Sequence, residues 1–202
     1  MKLFFSPASP YVRKVLATAH ELGLADRIEK LPSAAGPVKR DQTIIAHNPL
    51  GQVPTLLTDD GAMLADSRVI CEYLNDLGGG SLFGADKASR WQVITDQAMA
   101  DGVMGAALLI RYETFLRPEG VRWADWVSGQ WDKIFTTLDH FEGRAAELAG
   151  RMDIGTITLA AALSYIDFRM PDVDWRGKRP GLAAWAAAYE TRPAMVATRL
   201  SA

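Results

Sequence analysis

The spacing of apolar residues changes character near residue 78. Before it, short apolar runs alternate with helical stripes. Residues 2–6 (KLFFS) form an apolar run of strand length, and Ser9-Pro10 then has the N-cap and first-turn signature of a helix. Val12, Val15, Leu16, Ala19 and Leu22 follow at helical spacing, and Gly23 ends the stripe. Residues 28–31 predict a second strand, and strand–helix–strand implies a parallel pair with a right-handed crossover. Residues 33–47 are polar and weakly periodic, which predicts a loop with a short helix over 42–46. Residues 55–58 and 63–65 predict two strands joined at Asp60-Gly61, a dipeptide favoured in two-residue hairpins because both central positions take positive φ. Asp66-Ser67 opens a helix whose predicted apolar face is Ile70, Tyr73, Leu74 and Leu77. The layout over residues 1–77 is βαβαββα.

Gly78-Gly79-Gly80-Ser81 is the clearest linker, and residues 78–84 separate two compositions. Residues 85–202 carry no convincing strand. A helical pattern runs over 85–115, with a bend expected at Gly102 or Gly105. Trp123, Val127, Trp131, Ile134, Leu138, Phe141, Ala145 and Leu148 alternate steps of four and three, which predicts one amphipathic helix. Residues 159–168 are apolar on all sides and suit the centre of a bundle. Residues 182–190 predict a further helix, closed by Thr191-Arg192-Pro193. The fold class expected is therefore an α/β domain over 1–77, a linker over 78–84 and an all-α bundle over 85–202.

Charge narrows the function. With 22 Lys+Arg against 24 Asp+Glu and no basic run, the chain offers no nucleic-acid surface. Its first ten residues are too weakly apolar for a signal peptide, and no stretch reads as a membrane span. A single cysteine, Cys71, excludes an intramolecular disulfide, and its place beside Ile70 in a helix suits packing. His20, His47 and His140 are scattered, without metal-ligand spacing. These features predict a soluble cytoplasmic protein without metal.

Two places look chemical. A proline at the start of a strand donates no ladder hydrogen bond, so Val53 can turn its backbone groups outward. Asp66-Ser67 puts a carboxylate and a hydroxyl where the free N–H groups of a helix start also point. Such a corner can hold a zwitterion, with Asp on the ammonium and Ser and the amides on the carboxylate. The plainer alternative is an ordinary helix cap after a hairpin.

In this order and spacing, SPYVRK (residues 9–14), NPLGQVPTL (48–56) and LADSRVICEYL (64–74), followed by a glycine linker and an all-helical half, resemble the glutathione transferase superfamily over nearly the whole chain. The resemblance implies a thioredoxin-like first domain and a helical-bundle second domain. It places Ser9 at the catalytic position, Val53 at the residue whose backbone pairs with the cysteinyl part of glutathione, and Pro54 at the family's cis-proline. Gln52 falls where a side chain meets the glycyl end, and Asp66 and Ser67 fall at the γ-glutamyl contacts. Lys39 or Arg40 would supply a cation for the glycyl carboxylate. The chain departs from the family at its central bundle helix, where Thr158-Leu159-Ala160-Ala161 has alanine in place of the capping-box acid. It also has neither Tyr nor Cys at the catalytic position.

The resemblance implies a serine-type transferase that uses glutathione as co-substrate, needs no other cofactor and joins glutathione to small hydrophobic electrophiles, or reduces them, as a homodimer. Ser9 would donate a hydrogen bond to the thiolate, with Ser6 the competitor. The electrophile is expected between the domains, with Ala8 and Tyr11 facing Met104, Leu108, Arg111, Tyr112 or Phe115. Two alternatives differ in class. One is a GST-fold binding or regulatory protein without catalysis. The other is a thiol–disulfide oxidoreductase, which needs a cysteine nucleophile where Ser9 stands.

Overall fold

Leu3 and Phe4 are buried, and strand β1 (Lys2–Phe5) that carries them sits inside a four-stranded sheet of order β2-β1-β3-β4. The computed structural model describes residues 1–202. β2 (Glu29–Pro32) pairs with β1 in parallel, as a helical crossover requires. β3 (Thr55–Leu57) runs antiparallel to β1, and β4 (Met63–Leu64) antiparallel to β3. Helix α1 (Pro10–Glu21) makes the crossover, α2 (Gln42–Ile45) is a single turn capped by Asp41, and α3 (Ser67–Leu77) packs on α1. The βαβαββα layout holds, and no strand follows β4.

Two local readings are corrected here. The hairpin loop has three residues, Asp59 to Gly61, because Thr58 N–H donates to Ala62 O and Gly61 N–H to Thr58 O. Only Gly61 takes positive φ (88°), so a turn followed by one left-handed glycine replaces the two-residue type. The buried face of α3 is Ser67, Ile70, Cys71, Leu74 and Asn75, while Leu77 is exposed. Cys71 thus packs in the core, with Thr18 Oγ1 donating to its sulfur at 3.5 Å.

Contacts divide the chain into one unit of Met1–Ala85 with Pro193–Ala202, and another of Asp86–Arg192. The composition boundary near 78–84 groups residues 193–202 with the helical half, whereas helix α9 (Pro193–Ala197) packs on α1. Arg13 Nη2 donates to Met195 O at 3.0 Å, and Ser201 N–H to Pro7 O at 3.2 Å.

In the second unit, α4 (Lys87–Arg111) passes into a π-helical turn, Tyr112–Leu116. It packs against α5 (Ala124–Glu142) and chiefly against α7 (Ile154–Arg169). Lys87–Leu116 is long and apolar enough to cross a membrane, contrary to the sequence reading, but half of its most apolar 18-residue window is buried within the protein, as in a core helix. The stripe from Trp123 to Leu148 is broken after Glu142, and α6 (Ala145–Leu148) is separate; Gly143 and Arg144 turn the chain while Leu148 stays in phase with the core. Helix α8 (Pro180–Tyr189) starts on the Glu142 carboxylate, which accepts the N–H groups of Gly181 and Leu182.

The cap of α7 is also reassigned. The helix begins five residues before 159, at Ile154, and Asp153 caps it. Asp153 Oδ1 accepts Thr156 N–H at 3.0 Å while Thr156 Oγ1 accepts Asp153 N–H at 3.1 Å, so the box is complete with acid and hydroxyl exchanged. Thr158 lies inside the helix and donates to Ile154 O at 2.6 Å. A Cβ on Gly155 would come within 2.8 Å of Asp96 Cβ and 3.0 Å of Val93 O, so α7 and α4 touch there backbone to backbone. Asp96, 1% exposed, accepts from Arg144, Arg151 and Gln92, each at 2.9 Å, and Arg151 also donates to Asp153 at 2.8 Å. The buried carboxylate thus has the paired, hydrogen-bonded surroundings that burial demands.

Candidate functional site

Strand directions bring the chemical segments together in the first unit. Phe4 pairs with Thr55 in an antiparallel register, so the end of β1 lies beside the start of β3. Leu56 pairs with Leu64, which puts the end of β4 and the start of α3 at that same end. β2 is parallel to β1, so the loop after Pro32 leaves there too, and Ser33 Oγ donates to Phe5 O at 2.7 Å. Residues 6–9, 52–54 and 65–67 and the loop bearing Lys39 therefore converge on one end of the sheet. Ligands of open α/β sheets bind at such an end.

Ser9 caps α1. Its N–H donates to Ser6 O at 3.1 Å and its Oγ accepts Val12 N–H at 3.3 Å. A hydroxyl that accepts at a cap keeps its own hydrogen to donate, so capping and anion binding are compatible at Ser9. Pro10 at the first helical position leaves no N–H there, and the positive end of the helix adds to the field.

The segment before β3 is held by Asn48, buried, which donates to Thr55 Oγ1 at 2.8 Å and accepts Leu50 N–H at 3.0 Å. Thr55 Oγ1 in turn donates to Gln52 O at 2.7 Å. Gly51 has φ 62°, and a Cβ there would meet Ile45 at 2.9 Å. The Val53–Pro54 bond is cis, and Val53 precedes the ladder, which starts at Thr55. Its backbone is left to pair with something other than β1. Gln52 is exposed nearby.

The Ala65–Asp66 bond is cis as well. Asp66 caps α3 through Arg68 N–H at 2.9 Å, and its carboxylate also takes the Arg68 guanidinium, Nη2 at 2.9 Å and Nε at 3.3 Å. The Arg68 side chain, then its backbone N–H and the charge of Lys14, hold the Asp66 carboxyl below its ordinary range against a partial desolvation. Ser67 is buried at the first helical position. Lys39 is exposed, whereas Arg40 donates to Pro49 O and so braces the turn. No three His, Cys, Asp or Glu residues are grouped to hold a metal ion.

Sequence reasoning missed Asn48, Lys14 and Arg68. The Asn-Pro turn signal points to Asn48, but nothing local marks the burial of Lys14 or the clamp of Arg68 on Asp66. Of the residues expected near a second substrate, Met104 is fully buried, Leu108, Arg111 and Tyr112 are half-buried, and Phe115 is exposed.

Residues 8–77 match the family described as glutathione S-transferase, N-terminal domain, and residues 124–188 match glutathione S-transferase, C-terminal domain. The chain is 33% identical over 187 residues to the uncharacterized GST-like protein YibF of Escherichia coli K12, covering 90% of each chain. A glutathione transferase family member from Pseudomonas fluorescens Pf-5, solved with bound glutathione, is 45% identical, with 100% of this chain and 99% of that one covered and a TM-score of 0.97. A structure of such a Pf-5 family member with bound S-(propanoic acid)-glutathione is 44% identical, with 100% of both chains covered and a TM-score of 0.92. A glutathione S-transferase from Methylobacillus flagellatus with glutathione bound is 30% identical over 99% of both chains, at a TM-score of 0.89.

Proposed function

Because this chain belongs to the glutathione S-transferase family, whose members use glutathione as substrate, we propose that it is a serine-type glutathione transferase acting on small electrophiles. In this reading, Val53 pairs its backbone with the cysteinyl part of glutathione beside Pro54. Asp66 and Ser67 take the γ-glutamyl ammonium and carboxylate. Gln52 and Lys39 serve the glycyl end. Lys39 is preferred to Arg40 because the Arg40 guanidinium is engaged by Pro49 O. Glutathione bound in relatives at 45% and 30% identity supports the peptide site. S-(propanoic acid)-glutathione in a relative supports addition of the sulfur to a carbon electrophile over disulfide exchange. A disulfide-exchange role also lacks its nucleophile, since Cys71 is fully buried.

One observation carries the reading: Ser9 accepts Val12 N–H and keeps its own hydrogen, at the sheet end where the peptide-binding segments meet. A thiol of pKa about 8.5 is mostly protonated at neutral pH, and lowering that by two units takes roughly 2.7 kcal/mol of preference for the thiolate. Ser9 is far too weak an acid to serve as base. It donates to the sulfur anion as donors do in an oxyanion site, beside the helix terminus.

The test is Ser9→Ala. The variant should still bind glutathione by calorimetry, because Val53, Asp66 and Ser67 remain. Its thiolate absorbance should titrate at higher pH, and conjugation at neutral pH should slow, by less than the roughly 2.7–4 kcal/mol lost at strongly preorganised donors, with partial recovery at alkaline pH. An unchanged titration and rate would make Ser9 a cap only and shift the role to Ser6 or to backbone amides. The reading includes a cytoplasmic homodimer; sedimentation giving a single 22.1 kDa chain would remove the dimer from it.

A further inference from the structure

Two buried polar side chains, Asn48 and Thr55, bracket Gln52, Val53 and Pro54. Asn48 is fixed from three directions. Its N–H donates to Ile44 O on α2 at 2.7 Å, its carbonyl accepts Gly51 N–H at 2.8 Å, and its Oδ1 accepts Leu50 N–H at 3.0 Å. With Oδ1 so used, Nδ2 is the donor to Thr55 Oγ1, at 2.8 Å. Thr55 is the first ladder residue of β3 and pairs with Phe4 of β1, so its hydroxyl stands on the sheet itself.

A threonine hydroxyl has a single hydrogen to give. Asn48 donates to the oxygen, and the hydrogen goes to Gln52 O at 2.7 Å. The Gln52–Val53 peptide is trans, which sets its C=O and N–H on opposite sides of one rigid plane. Holding the Gln52 carbonyl toward Thr55 therefore turns the Val53 N–H away from Thr55, and no acceptor of the chain takes it. The bonds from Leu50 and Gly51 to Asn48 close the turn before this peptide. They do not set its plane, and the Thr55 hydroxyl does.

We propose that Thr55, oriented by Asn48, is a positioning residue for glutathione: it aims the Val53 N–H at the carbonyl of the cysteinyl residue. This rests on the reading above, in which Val53 pairs with the cysteinyl part, and deepens it by assigning the side chain that directs the donor. Thr55 is fully buried and touches no substrate; it acts through the Gln52–Val53 peptide.

The test is calorimetry with two reduced probes, γ-glutamylcysteinamide, which keeps the cysteinyl carbonyl, and γ-glutamylcysteamine, which lacks it. Neither has a glycyl residue. The wild-type protein should bind the first more tightly by about 2–12-fold, the range for one neutral hydrogen bond. Thr55→Val keeps the shape of the side chain without the hydroxyl, and should bring that ratio close to one. Thr55→Ser should keep most of it. Asn48→Asp should lower it as well, because an ionised carboxylate accepts the Thr55 hydrogen and draws it from Gln52 O. Both probes meet the same folded fraction, so a loss of stability leaves their ratio alone. A merely structural Thr55 would shift the urea midpoint in Thr55→Val and not the ratio.

An unchanged ratio in folded Thr55→Val would overturn the proposal. So would a ratio of one in the wild type, which would leave the peptide to Asp66 and Ser67 and take the Val53 N–H out of the site. A wild-type protein that binds neither glutathione nor the probes would remove the peptide site and the proposal with it. If the ratio falls as expected and no electrophile is turned over, Thr55 keeps its assignment and the transferase reading falls.

Discussion

At the residue scale, Asp66 holds one carboxylate between the backbone of α3, the Arg68 guanidinium and, in the proposed function, a ligand ammonium. Asp66→Ala should therefore weaken glutathione binding more than it slows turnover at saturation, because it stands away from the sulfur. Its side chain is 51% exposed, so the loss measured by calorimetry should fall below the ~2–5 kcal/mol typical of buried charge pairs. The pH dependence has a definite sign. Arg68 lowers the carboxyl in the folded state, so the contribution of Asp66 is complete above the unfolded value of about 3.9 and fades as pH falls through the lower folded one. Thermal melts from neutral to acid should show Asp66→Asn and wild type converging below about pH 4; curves that stay separated to the lowest pH would contradict this. The positions at the sheet end were legible because each depends on chain neighbours: a serine before proline, an X-Pro strand start, an acid-serine helix start. The Arg68 clamp was not, since it depends on a side-chain conformation.

Among the elements, α7 has the tightest constraints. Gly155→Ala places a better helix former in the helix, a gain of about 1 kcal/mol in isolation. Here the added methyl meets Asp96 and a carbonyl at 3.0 Å or less, and overpacking of that kind costs about 1–3 kcal/mol. Urea denaturation should therefore show net destabilisation, and a stabilised variant would mean that α4 and α7 sit farther apart. Asp153→Ala removes the cap, typically ~1 kcal/mol, and also a partner of Arg151, so it should cost more than a cap alone. Element types and order were largely readable from periodicity. The ends were less so. The stripe through Leu148 stays in register across the Gly143 turn, which hides the break after Glu142. The α7 cap was sought with hydroxyl first and acid second, and the chain uses Asp153 and Thr156 in the opposite order.

On the scale of the molecule, the first unit is discontinuous in sequence. Residues 86–192 lie between its main body and the segment Pro193–Ala202 that completes it. Ala194 and Met195 are buried, and Arg13 donates to the Met195 carbonyl. Ending the chain after Arg192 should destabilise that unit by at least about 2 kcal/mol, through lost apolar burial and the lost hydrogen bond from Arg13 to the Met195 carbonyl. Denaturation followed by glutathione binding would read this, and unaltered values would show the segment to be dispensable. The Ser201 N–H also secures the Pro7 carbonyl, two residues before Ser9. During synthesis the loop bearing Ser9 is thus made well before the segment that fastens it. At about 5–20 residues per second, the ribosome needs on the order of ten seconds to make the intervening helices. Throughout that interval the nascent chain presents the Ser9 loop without its final tether, and an elongation arrest before residue 193 would leave it so.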